Sequence, residues 1–252
     1  MDDTRLMHWL VTLHAGLSRL GPGQDTATRR ALAACVERAR TPDILEVGCG
    51  TGAATLVLAE SSAGRLIAVD RVPTFLADLR RRAAAVGLDG RIHTVLADMR
   101  ALPFAPSSFD LIWSEGAIYI MGFDAGLNAW RPLLRPRGFL AVTELSWLTV
   151  SPLSALATYW NEDYPAMRTV AGNLDACREL GWEIIAHDPL PHAAWMRDYY
   201  GPLRTRLPAF RADHADDPEA QAVVDMTEAE MELMADADGV CSYVFYVLRR
   251  TD

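Results

Sequence analysis

The chain has 252 residues, half of them apolar, so it can bury a full hydrophobic core. Its formal net charge is −9, and all 24 of its Lys and Arg positions are arginine. The absence of lysine excludes Schiff-base chemistry on the protein, pyridoxal phosphate enzymes and the lysine-containing phosphate loop. The acidic balance argues against nucleic acid as a partner, because such binding depends on neutralising phosphates.

The cysteines and histidines predict no bound metal. The four cysteines lie far apart without a Cys-x-x-Cys motif, so neither a disulfide framework nor a zinc site is expected, and the histidines lack ligand-like spacing. The first residues lack the basic region of a signal peptide, and no apolar run is long enough to span a membrane. We therefore expect a cytoplasmic protein with no membrane association.

Two helices are predicted before residue 41, because apolar residues recur three and four apart in "RLMHWLVTLHAGLSRL" and "DTATRRALAACVERAR". From Pro42 to Leu145, short apolar runs alternate with helical segments, which predicts a mostly parallel sheet with right-handed crossovers. The predicted strands of this region are "DILEVG", "RLIAVD", "RIHTVLAD", "FDLIWS" and "GFLAVTEL".

Beyond Leu145 this regular alternation ends. Strands are predicted in "GWEIIAHDPL" and in the closing "VCSYVFYVLRR". Helices are predicted over Pro152–Tyr164, Thr169–Leu180, Ala193–Phe210 and Pro218–Ala235. In the absence of repeats or a linker, we predict one domain: a helical cap (1–40), a core (41–145), and helices with the last two strands (146–252).

The first predicted strand runs into a glycine-rich turn, "ILEVGCGTG". Glycine suits positions where the backbone approaches a ligand closely or takes a positive φ. The spacing G-x-G-x-G differs from the G-x-G-x-x-G that holds a pyrophosphate. Because the turn follows a strand and opens a helix near Ala53, it is typical of a nucleotide-binding site.

Acidic residues lie at the ends of the first three strands: Glu46, Asp70 and Asp98. Asp70 follows the glycines by roughly 20 residues, where a carboxylate can accept both ribose hydroxyls, and Asp98 could accept from the adenine amine. Either aspartate could instead cap a helix. Three acids, with no basic residue in the glycine turn, favour a ligand that carries adenosine and a positive centre over one that carries phosphates.

Residues Pro42 to Leu145 resemble the class I S-adenosylmethionine-dependent methyltransferases. The resemblance rests on Glu46–Gly52, on Asp70, on "ADM" followed by "LPF", and on "RPLLRPRGFLAV"; the outer segments are similar to a bacterial subgroup of small-molecule methyltransferases. It implies an α/β, Rossmann-like fold with seven strands in the order 3-2-1-4-5-7-6, mostly parallel with the last strand antiparallel. It also implies S-adenosyl-L-methionine as cofactor and S-adenosyl-L-homocysteine as product.

The resemblance also implies a role for individual residues. Glu46 would hold the methionine amine directly or through water, Asp70 the ribose hydroxyls, and Asp98 with the Met99 amide the adenine, while Ser114 would lie near the amine. The implied cofactor-binding residues are Glu46, Gly48, Cys49, Gly50, Asp70, Arg71, Asp98, Met99 and Ser114.

The methyl acceptor must approach from beyond the fourth and fifth strands, because methyl transfer from a sulfonium is an in-line displacement. Glu115 and His14 are the candidate bases, although Glu115 could instead be a counter-charge to an amine or a first-turn helix acid. The candidate acceptor-site residues are Glu115, Tyr119, Glu144, Trp147, Trp160 and Tyr164. The stretch "YWNEDY" could surround a cation or serve only for packing.

Two other functions stay open at this point. A nicotinamide or flavin oxidoreductase is suggested by the glycine turn and Asp70, although the glycine spacing and Asp98 argue against it. A protein that binds S-adenosylmethionine without catalysis also fits, because no motif identifies a base. The residues do not specify an oligomeric state, and a homodimer is the commonest default.

Overall fold

A mixed β-sheet forms the centre of the computed structural model, which describes residues 3–35, 41–152 and 154–252. Seven strands follow one another across the sheet, and a two-residue strand pairs beside them. In chain order the strands are β1 Ile44–Val47, β2 Leu66–Asp70, β3 Ile92–Leu96, β4 Phe109–Ser114, β5 Leu134–Trp147, β6 Arg168–Thr169, β7 Trp182–Pro189 and β8 Cys241–Arg250.

The strand order is β3-β2-β1-β4-β5-β8-β7, with β6 paired to β5. The first five strands pair in parallel, and β8 is antiparallel to both of its neighbours. When the short β6 is not counted, this is the predicted order 3-2-1-4-5-7-6. The predicted fold class is confirmed.

Helices cover both faces of the sheet. They are α1 Asp3–His14, α2 Asp25–Cys35, α3 Ala53–Ser61, α4 Pro73–Ala85, α5 Phe123–Trp130, α6 Ser154–Asp163, α7 Val170–Glu179, α8 His192–Met196, α9 Tyr200–Asp213 and α10 Pro218–Ala235. Short 3₁₀ turns lie at Ile118–Met121 and Arg131–Leu133. The predicted end of the second helix, residues 36–40, lies outside the described residues. None of the described helices has both the length and the apolar character needed to cross a membrane.

One predicted helix is wrong as a single element. The segment predicted over Ala193–Phe210 is divided between α8 and α9, which are separated by residues 197–199. Pro202 lies in the first turn of α9. Proline lacks a backbone N–H and suits the first turn of a helix, where that group has no partner, but breaks a helix interior. Pro202 therefore favours a new helix that starts just before it, although α9 continues through a second proline, Pro208.

Alternating side chains of the strands fill two separate cores. On β4, Leu111 and Trp113 pack in the core under α1 to α4, α9 and α10, whereas Ile112 packs in the core under α5 and α7. All three side chains are buried. A sheet covered on both faces buries successive residues of a strand, which explains why "LIW" is continuously apolar.

The chain order places a crevice at the carboxyl end of β1. Its two neighbours, β2 and β4, lie on opposite sides of it, so the connections after β1 and after β4 diverge there. In open α/β sheets, ligands bind at such a switch point, outside the carboxyl ends of the strands.

Candidate active site

A cavity of about 480 Å³ lies at the carboxyl ends of β1, β2 and β4; we call it the main cavity. A second one of about 190 Å³, the side cavity, adjoins it and shares Leu20, Tyr119, Tyr199 and Glu230 as lining residues. The volume of the main cavity is in the range of small-molecule sites, which is roughly 300 to 1,000 Å³. This end of the sheet can therefore hold a cofactor together with part of a second molecule.

The glycine turn lines one end of the main cavity. Gly48 has φ +74°, and a Cβ there would lie 2.4 Å from the Cβ of Ala117. Gly50 has φ +52°, and a Cβ there would lie 2.7 Å from Leu20 Cδ1. The positive φ at both positions and the close Ala117 contact at Gly48 favour glycine, as the alternating spacing predicts, whereas the Leu20 side chain over Gly50 can move.

Asp70, at the end of β2, holds the glycine turn and lines the main cavity. Its Oδ2 accepts from the Gly50 N–H at 2.8 Å, and its Oδ1 accepts from the Val72 N–H at 2.9 Å. The cap residue of α4 is Val72, with no side-chain cap bond, so the helix-cap alternative for Asp70 is wrong. Burial raises the pKa of Asp70, although the backbone N–H groups oppose that shift.

Glu46 is a buried carboxyl group whose Oε2 has no hydrogen-bond partner among the described residues. Burial raises the pKa of Glu46 to about 8, and the neighbouring carboxylates Glu115 and Asp70 add to the shift. A buried, unpartnered carboxyl oxygen is costly unless a ligand pairs with it. Because Glu46 lines the main cavity, it suits the ammonium group of a ligand.

The other predicted cofactor residues divide into two sets. Cys49, Arg71 and Met99 line the main cavity. Asp98 is exposed and does not line it; its Oδ1 accepts from the Arg100 N–H at 2.9 Å. Ser114 is fully buried outside both linings, and its Oγ has no partner within the described ranges. The structure thus brings the glycine turn, Glu46 and Asp70 together, and leaves Asp98 and Ser114 at the margin.

Glu115 lines the main cavity and joins the sheet to the N-terminal helices. Its Oε1 accepts from the Thr28 hydroxyl at 2.7 Å and from Trp113 Nε1 at 2.9 Å, and its Oε2 lies 3.8 Å from Arg19 Nη1. The following 3₁₀ turn begins after Ala117 without a side-chain cap, so the first-turn acid interpretation is wrong. Burial raises the pKa of Glu115, whereas Arg19 opposes this change.

His14 lines the main cavity on the side of the helices. Its Nδ1 lies 2.8 Å from the Leu10 carbonyl, which can only accept, so Nδ1 carries the proton and Nε2 is free to accept. The Tyr199 hydroxyl lies 3.0 Å from that Nε2. Burial lowers the pKa of His14, and the nearby Arg206 adds to the shift, so the ring is neutral at pH 7.

Some of the predicted acceptor-site residues line a cavity, and others do not. Tyr119 lines both cavities, and Trp160 and Tyr164 line the side cavity. Glu144 lies outside both linings, beneath Tyr164, whose hydroxyl donates to Glu144 Oε1 at 2.5 Å; burial raises the pKa of Glu144 to about 7. Trp147 is buried in the core and lines neither cavity.

Sequence reasoning missed part of the cavity wall. Arg19 and Leu20 come from the turn after α1, Tyr199 precedes α9, and Glu230 lies in the middle of α10. No local motif marks these residues, because they meet only when distant helices pack together. Tyr159 and Asp163 also line the wall and belong to "YWNEDY", the one stretch whose aromatic and acidic residues suggested a ligand.

Acidic residues outnumber basic residues in the lining of the main cavity. The acidic lining residues are Glu46, Asp70, Glu115, Asp163 and Glu230, against Arg19 and Arg71. This balance fits a cofactor with a sulfonium and an ammonium group better than one with phosphates. No cluster of potential metal ligands occurs in the described part of the chain.

Comparisons with known proteins agree with this chemistry. Residues 44–138 match the family described as "Methyltransferase domain". Demethylmenaquinone methyltransferase from Mycolicibacterium gilvum is 32% identical over 180 residues, covering 67% of this chain and 75% of that protein. Malonyl-[acyl-carrier protein] O-methyltransferase from Enterobacter lignolyticus is 35% identical over 118 residues, covering 46% of this chain and 44% of the relative.

A solved structure shows the same fold. The S-adenosylmethionine-dependent methyltransferase from Geobacter sulfurreducens, in complex with S-adenosyl-L-homocysteine, has a TM-score of 0.82 at 17% identity, covering 96% of this chain and 97% of that one. Because the matched family and the sequence relatives are methyltransferases, the oxidoreductase alternative is wrong. The chain belongs to the class I S-adenosylmethionine-dependent methyltransferases.

Proposed function

We propose that the enzyme transfers the methyl group of S-adenosylmethionine to a small-molecule acceptor. One observation carries this proposal: the main cavity runs from the glycine turn to a wall of helices that holds His14, Tyr159, Tyr199 and Glu230. The named relatives act on a demethylmenaquinone and on a malonyl group carried by a protein, so they support a small acceptor group without selecting one.

The residues at the strand ends fit the cofactor. Glu46, with its unpartnered Oε2, would pair with the methionine amine, and Gly48 and Gly50 would admit the chain of that moiety. Asp70 faces the cavity, where it would accept from the ribose hydroxyls. Met99, which lines the cavity, would hold the adenine with Asp98. When bound, the cofactor supplies an electrophilic methyl group on a positively charged sulfur.

The opposite wall would orient the acceptor and remove a proton from it. Tyr199 lines both cavities, and its hydroxyl donates to His14 Nε2. An acceptor proton can pass to the Tyr199 oxygen as the tyrosine proton moves to His14, which is neutral because burial lowers its pKa. Glu115 would act mainly as the carboxylate that fixes Arg19 and Thr28 around the cavity, because its Oε1 already accepts two hydrogen bonds and its Oε2 faces the Arg19 guanidinium.

Methyl transfer can be tested with deuterated cofactor. The purified enzyme is incubated with S-adenosylmethionine bearing a CD₃ group and a library of small amines, phenols, quinols and carboxylic acids. We expect S-adenosylhomocysteine to be released together with one trideuterated product. Asp70→Ala should weaken S-adenosylhomocysteine binding by about 10- to 100-fold, because hydrogen bonds to a charged group are worth about 1.5–3 kcal/mol each.

Asp89→Ala provides the matched control, because this aspartate is exposed and lies outside the main cavity. Unchanged affinity in Asp70→Ala would contradict the ribose assignment. Tight binding of S-adenosylhomocysteine with no product from any acceptor class would favour the non-catalytic alternative.

A further inference from the structure

The side cavity has an unusual lining for a site next to a methyl donor. Apart from small and aliphatic residues, its walls are aromatic, and the charged residues among its described lining are Asp163 and Glu230. The aromatic residues are Tyr119, Trp160, Tyr164, Trp195, Tyr199 and Tyr243. Electron-rich ring faces together with carboxylates attract cations, and more strongly where water is excluded.

Contacts among the rings hold this lining in place. Tyr119 meets Tyr164 edge-on at 6.0 Å between centroids, and Trp195 stacks on Tyr243 at 5.4 Å. Trp195 Nε1 also donates to the Ser242 hydroxyl at 3.1 Å. A ligand therefore meets aromatic side chains that are already held in place, which lowers the entropic cost of binding.

Both carboxylates are available to a cation. Glu230 accepts from two phenols, at 2.5 Å from Tyr200 to Oε1 and at 3.3 Å from Tyr159 to Oε2. Burial raises the pKa of Glu230, and these two hydrogen bonds favour its carboxylate form and oppose that shift. Asp163 is exposed and has no hydrogen-bond or ion-pair partner among the described residues. The negative charge thus extends from the wall to the exposed Asp163.

No arginine of the described lining neutralises this charge. Arg168, the guanidinium near Glu144 behind Tyr164, pairs with Asp124 at 2.7 Å. Arg19, which lines the main cavity, pairs with Asp25 at 2.5 Å and lies 3.8 Å from Glu115. The side cavity therefore keeps an excess of negative charge that a ligand can neutralise.

We propose that the side cavity binds an alkylated ammonium group, and that the methyl acceptor is an amine. This inference rests on the proposed function, because it names the acceptor class of the same site. An aliphatic amine arrives protonated at pH 7, and its proton leaves through Tyr199 to His14 before the nitrogen reacts.

The charges of the reaction agree with this placement. The nitrogen lone pair forms a bond to the methyl carbon while the carbon–sulfur bond breaks, and that electron pair stays on sulfur. The positive charge thus moves from sulfur to nitrogen, toward Asp163, Glu230 and the ring faces. Groups already oriented toward developing charge stabilise the transition state without reorganisation.

The test uses a cation and its uncharged carbon isostere. The 252-residue enzyme is first saturated with S-adenosylhomocysteine, which blocks the cofactor end, and is then titrated calorimetrically with choline and with 3,3-dimethylbutan-1-ol. We expect choline to bind at least about tenfold more tightly, because cation–π and carboxylate contacts act only on the charged probe. Equal affinities, or tighter binding of the alcohol, would overturn the inference.

Variants that each remove one negative charge show which carboxylates bind the choline cation. Glu230→Gln should weaken choline binding about three- to tenfold and leave the alcohol unaffected. Glu232→Gln removes the same charge from an exposed position on the same helix and outside the lining, so it should change neither affinity. If Glu230→Gln does not fold, Asp163→Asn decides the matter, since it alters an exposed side chain and should also reduce choline affinity.

The two proposals fail in different ways. If S-adenosylhomocysteine does not bind in the first titration, the proposed function fails with its cofactor site. If S-adenosylhomocysteine binds and choline shows no preference over the alcohol, the methyltransferase assignment stands and only the amine inference is lost.

Discussion

The two ends of the main cavity are built in different ways. The glycine-turn end takes Glu46, Gly48, Gly50 and Asp70 from β1, β2 and the turn between β1 and α3, and backbone hydrogen bonds hold it. The opposite end takes side chains from α1, α6, the break between α8 and α9, and α10, and hydrogen bonds from tyrosine hydroxyls to His14 and Glu230 join them. A backbone-built site can keep one cofactor, whereas a side-chain wall can change its acceptor by substitution.

The largest expected effect comes from filling the backbone-built end. Gly48→Ala places a Cβ 2.4 Å from that of Ala117 at a positive φ, so the turn must move. We expect S-adenosylhomocysteine affinity to fall by at least about 100-fold, corresponding to about 3 kcal/mol, which is at the upper end for overpacking. Isothermal calorimetry measures the loss of affinity, and thermal denaturation measures the accompanying loss of stability.

Gly87→Ala is the control for backbone strain alone. Its φ is +71°, but a Cβ there meets nothing within 4 Å. It should lower stability by about 1 kcal/mol and leave cofactor affinity unchanged. Similar losses of affinity in both variants would mean that the close contact at Gly48 does not shape the site.

A smaller effect is expected at the side-chain wall. His14→Gln removes the proton acceptor behind Tyr199, and we expect kcat to fall about 10- to 100-fold with cofactor affinity retained. Burial lowers the pKa of His14, so the wild-type rate should decline only at a pH below the ordinary histidine value of 6.5. The variant should lose that decline.

Glu115→Gln is the comparison for this variant, because Glu115 is the other candidate base. It leaves Arg19 without that carboxylate, so its main effect should be on the free energy of unfolding, a loss of about 1–3 kcal/mol. Steady-state kinetics measures the effect of each variant on kcat, and denaturant unfolding measures its effect on the free energy of unfolding. A larger loss of kcat in Glu115→Gln than in His14→Gln would exchange their roles.

The smallest expected effect is the release of a proton when S-adenosylhomocysteine binds. The pKa of the Glu46 carboxyl is raised to about 8 by burial, so without ligand it is mostly protonated at pH 7. A bound ammonium group favours the carboxylate, so binding S-adenosylhomocysteine should release about one proton at pH 7 and none above about pH 9. Calorimetry in buffers with different ionisation enthalpies counts this proton.

Two variants show whether the released proton comes from Glu46. Glu46→Gln should abolish the release. Glu144→Gln should preserve it, because Glu144 is also buried with a raised pKa but lies outside both cavities. Release that persists in Glu46→Gln would place the amine elsewhere.

The difference between the glycine-turn end and the wall of helices also explains which parts of the site the sequence could predict. The glycine spacing and the acids at strand ends depend on local geometry, so Gly48, Glu46 and Asp70 lie where predicted, although their ligand contacts stay predictions. Glu144 and Trp147 lie in β5 itself, near its carboxyl end, but whether their side chains meet a cavity depends on the helices packed above them. The cytoplasmic location and the homodimer also stay predictions, because neither follows from contacts within one chain.

Tyr199 and Glu230, on the wall of helices opposite the glycine turn, carry no local signal in the sequence. Glu230 lies in an ordinary acidic helix, and Tyr199 lies in the break between α8 and α9, which periodicity predicted as continuous helix. Their partners, Tyr159 and His14, are about 70 to 185 residues away in the chain. Only tertiary packing brings these groups together.

The turn that contains Leu20, Gly21 and Pro22 lines both cavities, and Leu20 lies directly over Gly50. The same turn therefore covers both cavities, and the two ligands would contact one shared segment. Linkage then requires reciprocity: whatever factor the cofactor product adds to acceptor affinity, the acceptor must add to the affinity of the cofactor product. An enzyme built this way would release its two products in an interdependent order.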